Sequence, residues 1–284
     1  MPHFNIYFFK ERSREIDPDR LIAYFDGIEG MTVEMDEKSV RFNFLHPRLK
    51  YRARFLLTPK TQVPDIYRLN PKFLDINFHL EIPILTPDYF AHHLFELGKK
   101  VSATFDFYIY NEMLEDVQPF RLEVLKKVFR MIKDVYKEKN PILLGDYCVI
   151  NKDKLSSILR YQDDQYDLQK YYKELGTYVP MYHFIRKDDD DLRIAIEWKE
   201  QTLTVFPPHL DLLLYRQNDQ VKVIDYPMIK ERIDRLLEDV PGFIRGTRVL
   251  PRKNMKKVHR IVRKAEYALL DRSFQECKID CLID

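Results

Sequence analysis

Lys253, Lys256, Lys257, Arg260, Arg263 and Lys264 are the densest cluster of chemically active side chains in the sequence. No acid occurs between Asp239 and Glu266, and Arg245, Arg248 and Arg252 extend the basic run upstream. At about 100° per residue on a helix, the six cations fall on one side. Val258, Ile261, Val262, Ala265 and Leu269 fall on the other. Such a rail can neutralise successive phosphates and release their counterions, giving an affinity that drops steeply with salt. It equally suits an acidic protein or an anionic lipid surface. The plainer reading is a solvated helix face neutralised within the molecule. The formal charge of the whole chain is only +2, so the remainder is net acidic.

A second basic group, Lys50, Arg52 and Arg54, alternates along one face of an expected strand over 50–57, in a stretch without acids from Lys38 to Pro64. Phe42, Phe44 and Tyr51 nearby give the composition of a single-strand binder. Tyr51 and Phe55 fall on the opposite face from the cations, however, and the RNP1 pattern of RNA-recognition modules is absent.

Residues of the metal-binding types occur at Asp75, His79, Glu81, His92 and His93. The first three share the face of a strand that points away from the following helix, so they read as a solvated face. His92 and His93 diverge by about 100° on that helix, and no metal is expected. Asp188–Asp191 puts four acids at a hairpin tip without the spaced oxygens, glycine and late glutamate of a calcium loop. Cys148, Cys277 and Cys281 are too few for a disulfide framework, and the last two make half a metal site at best. The seven glycines fit neither a phosphate-cradling loop nor a dinucleotide fingerprint, and no Gly-x-Ser-x-Gly elbow occurs. No catalytic residue and no cofactor are assigned. An enzyme here would have to assemble its site from distant residues such as His183, Asp211 and Tyr215.

The elements that position these groups follow from hydrophobic period. Leu74, Ile76, Phe78, Leu80 and Ile82 alternate along a strand, and Thr86-Pro87 caps a helix lined by Phe90, Leu94, Leu97 and Val101. Phe105, Phe107 and Ile109 alternate again. Upstream, a strand at 4–9 precedes a helix opened by Asp17-Pro18, and strands follow at 31–36, 39–45 and 50–57. This order predicts an antiparallel sheet with helices on one face, ferredoxin-like in sequence order. Pro119 opens a long helix to Asn140-Pro141, and Asn151 caps another to Gly176. Five strands between 181 and 225 predict a meander, closed by helices over 227–240 and from Pro251 to about Phe274. Pro-x-x-Leu-Asp occurs at the head of a strand in each half, at Pro71 and Pro207, which is too little to establish a duplication.

The expected fold class is therefore α+β: two sheet-bearing halves, 1–118 and 179–284, joined by a helical connector over 119–178, with a basic amphipathic helix at the end. The composition, 45% apolar and 32% charged, is that of a globular chain. There is no signal-peptide pattern and no run of about 18 apolar residues. The function expected is that of a non-enzymatic, cytoplasmic macromolecule-binding protein with a protein partner. A nucleic-acid binder using the basic helix is the alternative, and an enzyme with a scattered site the other.

Overall fold

The computed structural model describes residues 2–187, 191–218 and 220–284. The chain is mixed α+β and forms two compact units, Met1–Val149 with Ile283–Asp284, and Ile150–Leu282. The stretch 119–178 is divided between them: its first helix belongs to the first unit and its second to the other.

The first unit contains β1 (His3–Glu11), α1 (Pro18–Asp26), β2 (Met31–Met35), β3 (Val40–Leu45), β4 (Arg52–Leu57), β5 (Phe73–Pro83), α2 (Asp88–Phe105), β6 (Tyr108–Tyr110), α3 (Leu122–Lys139) and the short β7 (Cys148–Val149). Its main sheet is antiparallel, in the order β2-β3-β4-β5-β1-β6. That order does not conflict with a ferredoxin-like arrangement.

α1 starts where Asp17 accepts a hydrogen bond from the Arg20 N–H at 3.1 Å, with Pro18 in the first turn. It buries Phe25, whose ring lies 4.5 Å from Phe42 and 4.7 Å from Phe55. On α3, Phe129 meets Phe4 edge-on at 5.4 Å. The helices thus cover one sheet face with phenylalanine, each fully buried ring contributing about 2–3 kcal/mol.

The other face departs from expectation. Asp75 and His79 are only 5% and 4% exposed, not solvated. Two things cause this. A bulge shifts the register so that Phe8 faces Phe78 but Phe9 faces Asp75, with Asn77 left-handed at φ 57°. Beyond the bulge, Val63, Leu69, Tyr110 and Val117 pack with Tyr7 and Phe9 into a second cluster over that face.

The second unit contains α4 (Lys152–Lys173), β8 (Thr177–Tyr178), β9 (Tyr182–Lys187), β10 (Arg193–Lys199), β11 (Leu203–Phe206), β12 (Leu212–Gln217), β13 (Gln220–Asp225), α5 (Tyr226–Asp234), β14 (Glu238–Asp239), β15 (Arg248–Val249), α6 (Met255–Arg263), β16 (Ala268–Leu269) and β17 (Phe274–Cys277). Asn151 caps α4 by accepting from the N–H groups of Asp153 and Lys154. One sheet runs β16-β13-β12-β10-β9-β17 and another β14-β15-β11-β8.

The expected meander is broken. Thr204, Val205 and Phe206 are buried in succession, so β11 is no half-exposed meander strand. It passes into the smaller sheet, and β12 returns parallel to β10, with Ala195 opposite Leu212. The closing helices are also shorter than expected. α5 stops at Asp234, and α6 stops at Arg263 because Ala268 and Leu269 pair with Val223 and Lys222 as an added strand.

Candidate functional site

α6 is set in place from both ends of its sequence. A single turn at Arg252–Asn254 precedes it, and Asn254 Nδ2 donates to the Leu236 carbonyl at 2.7 Å. Val258 and Val262 are fully buried, and His259 between them is 3% exposed. The six cations all lie exposed, Lys253 just ahead of the helix and Lys264 at its C-cap.

Two of the six are neutralised within the molecule. Lys253 Nζ meets Glu238 at 2.8 Å, and Arg263 meets Glu200 at 2.7 Å. Lys256, Lys257, Arg260 and Lys264 have no ion-pair partner among the described residues. Lys256, Arg260 and Lys264 are four residues apart and so stand in one row at intervals of about 6 Å. Beside this row runs an open groove of about 550 Å³, lined by Gln201, Met255, Lys256, His259, Arg260, Arg263 and Lys264, with no acid in its wall.

The groove is backed by a buried aromatic set. The His259 ring lies over Trp198, with centroids 4.5 Å apart, and its Nδ1 is 3.0 Å from the Tyr215 hydroxyl. Trp198 Nε1 donates to the Thr202 carbonyl at 3.0 Å. Burial raises the Tyr215 pKa, partly offset by the adjacent Arg263, so the phenol stays protonated. Burial lowers the His259 pKa, and Arg263 pushes it the same way against the Thr202 carbonyl and Glu200. The imidazole is therefore neutral at pH 7 and accepts a hydrogen bond from the phenol at Nδ1, which places its own proton on Nε2. Nε2 is buried and forms no bond of hydrogen-bonding geometry, although the Thr202 carbonyl is near enough to act on its titration.

The other candidates do not converge. His183 Nδ1 bonds Glu276 at 2.9 Å, while Asp211 accepts the Ile194 N–H at 2.9 Å and lies 4.0 Å from Lys154. Tyr215 alone of that trio reaches the groove's lining, through His259. Nothing in the spacing of the sequence marks this pair, except that a polar residue interrupts an otherwise apolar stripe at position 259.

The basic strand is not a rail. Lys50 precedes β4 with a left-handed backbone, φ 61°, and its Nζ turns back onto the Pro47 carbonyl. Arg54 is ion-paired with Glu81. Among the described residues neither Lys50 nor Arg52 has an ion pair, but only Arg52 of these two lies on the strand. Burial works against the charged form of Glu81, but hydrogen bonds from His79 and Arg54 hold its pKa at about 2.

Asp75, His79, Glu81, His92 and His93 do not form one ligand set among the described residues. Asp188, Asp189 and Asp190 of the acidic hairpin tip lie outside the described residues. No disulfide joins Cys148, Cys277 and Cys281 among the described residues. No helix among the described residues is long and apolar enough to cross a membrane. No protein-family model, curated protein or solved structure matches the chain.

Proposed function

We propose that the protein is a non-enzymatic, macromolecule-binding protein whose α6 face holds a phosphate-bearing polymer, with nucleic acid as the partner. The observation that carries this reading is the row Lys256, Arg260 and Lys264, joined by Lys257. All four are exposed and have no counter-ion among the described residues, and the row of three lines a groove whose wall has no acid. The chain has 45 acidic residues available, and it uses two of them to neutralise the neighbouring Lys253 and Arg263. Anchoring α6 by Val258, Val262 and the His259–Trp198 stack fixes where the free charges stand, so little ordering entropy remains to be lost on binding.

The enzymatic alternative is less well supported. A buried phenol that keeps its proton and a neutral imidazole that accepts its hydrogen bond hold α6 in place and leave neither group poised for acid–base work. An acidic protein surface fits the same charges but not the regular row. Three cysteines, too few for a disulfide framework, suit the reducing environment of the cytosol as the place of action.

The test is binding of a labelled oligonucleotide by fluorescence anisotropy across a salt series. Neutralising four phosphates gives a slope of log K against log salt near −2.8 for a single strand, so affinity falls roughly 50-fold from 50 to 200 mM. The triple variant Lys256→Glu, Arg260→Glu, Lys264→Glu should abolish binding while keeping the far-UV circular dichroism spectrum. Salt-indifferent binding, or binding that survives the triple variant, removes α6 as the interface.

A further inference from the structure

We infer that the second unit carries a small-molecule site on the sheet face turned away from α6, and that its ligand has an apolar body and an ammonium head. The ground for this is the shape of the sheet β16-β13-β12-β10-β9-β17. Beyond β16, the Leu270 N–H still donates to the Val221 carbonyl at 3.0 Å, and Phe274 already opens β17 at the opposite edge. Four residue steps reach at most about 14 Å. Laid flat, six strands spaced at about 4.8 Å would set the two edges about 24 Å apart. The sheet is therefore curled toward closure. Ala268, Val223, Leu212, Arg193, Ile185 and Phe274, one from each of its six strands, line a single cavity of about 360 Å³ on the concave side. Strand alternation leaves Leu213 and Tyr215 on the other side, with Trp198 and His259.

The cavity has the make-up of a ligand site, an apolar body with a few polar groups at its mouth. Its floor is continuous, because Ile185, Leu212 and Val223 pack with Ala195 and Leu214, all buried. Tyr267 and Phe274 stand as aromatic walls. Four charged side chains line it: Lys187, Arg193, Asp225 and Glu266. Arg193 is paired with Asp225 at 3.4 Å. Lys187 stands over the Phe274 ring, 5.5 Å from its centroid, and its charge helps to lower the pKa of Asp271. Glu266 has no ion pair and no hydrogen bond among the described residues. The lining charge left without a partner is thus an acid, and its complement is a cation. A carboxylate head would have to take Arg193 from Asp225 with Glu266 as a repelling neighbour.

The experiment titrates the full chain with three probes of one shape, phenethylamine, phenethyl alcohol and phenylpropionate, followed by ligand-observed NMR. Phenethylamine should bind with a Kd below about 1 mM, at least about tenfold more tightly than phenylpropionate, with the alcohol between them. Glu266→Gln should weaken the amine about tenfold, to the level of the alcohol, and leave the alcohol unchanged. Ala268→Phe fills the cavity and should abolish binding of all three. Both substitutions lie at exposed positions, so the far-UV circular dichroism spectrum should not change. Phenylpropionate bound as tightly as the amine, or an amine affinity indifferent to Glu266→Gln, overturns the ammonium assignment. Binding of none of the probes, or binding that survives Ala268→Phe, overturns the site itself. Neither result bears on nucleic-acid binding by α6, which uses the opposite side of the sheet.

Discussion

Replacing Lys133 by methionine should destabilise the first unit by about 3–4 kcal/mol, at the lower end of the range for breaking a buried ion pair from one side. Lys133 stands on α3 with a side chain 2% exposed, between two carboxylates. Its Nζ lies 2.6 Å from Asp88 Oδ1 and is also bonded to Asp284. The two acids are not equally dependent on it. Asp88 keeps Arg130 at 2.9 Å and is partly open to water. Among the described residues the Asp284 side-chain carboxylate, 2% exposed, then keeps only the Asp88 N–H, at 3.1 Å, at the start of α2, while Lys137 holds its main-chain oxygen at 2.9 Å. One buried carboxylate is therefore left nearly uncompensated, and that is the source of the cost.

Asp284→Asn is gentler, about 1–2 kcal/mol, because Lys133 retains Asp88 and the amide still accepts the helix N–H. The double variant should cost less than the two singles together, since the charge left stranded by the first change is removed by the second. Urea unfolding followed by far-UV circular dichroism is the assay. Emission from Trp198, the only tryptophan, reports the other unit. A midpoint shift of about 1 M or more is expected for Lys133→Met. A shift near zero, or strict additivity in the double variant, refutes the claim that these three groups form one buried charge cluster.

Glu81 gives a pH dependence with a definite sign. Its folded pKa of about 2 lies below the ordinary 4.5, so its contribution is present above pH 4.5 and is lost as pH falls toward 2. Glu81→Gln should remove a contribution on the order of 2 kcal/mol at neutral pH and flatten the acid limb of a stability–pH curve in that window. An unchanged acid limb would exclude the His79–Glu81–Arg54 chain as its cause. Tyr215→Phe deletes the donor to His259 Nδ1 and leaves a buried nitrogen unpaired, at about 1–3 kcal/mol. By NMR the His259 imidazole should titrate below 6.5 in the wild type, and its shift should change in Tyr215→Phe.

The buried and exposed faces of α6 were legible in the sequence because a period near 3.6 sorts Val258 and Val262 from the cations without reference to anything distant. Its length was not. The apolar and aromatic residues after Lys264 continue a helical count, but Ala268 and Leu269 are claimed by the free edge of β13, a partner some 45 residues away. The same limit explains Asp75 and His79. Strict alternation assigns them to water, while their cover comes from Val63, Leu69, Tyr110 and Val117, which no local pattern ties to β5.

Register faults compound this. The bulge at Asn77 and the left-handed Lys50 each break an alternation that the residue types alone do not reveal. The pairing of β10 with β12 depends on β11 leaving the sheet, a decision made by burial on both its faces. The Tyr215–His259 contact joins a strand to a helix 44 residues on. Such a contact is fixed only once both are packed on Trp198.

The most direct test of the central claim is the salt dependence of single-stranded oligonucleotide binding by the wild type and by the triple variant Lys256→Glu, Arg260→Glu, Lys264→Glu. The wild type should show a log–log slope near −2.8 and the variant no binding at 50 mM salt, with both folded alike. Equal binding by the two proteins, or a flat salt response in the wild type, would contradict it.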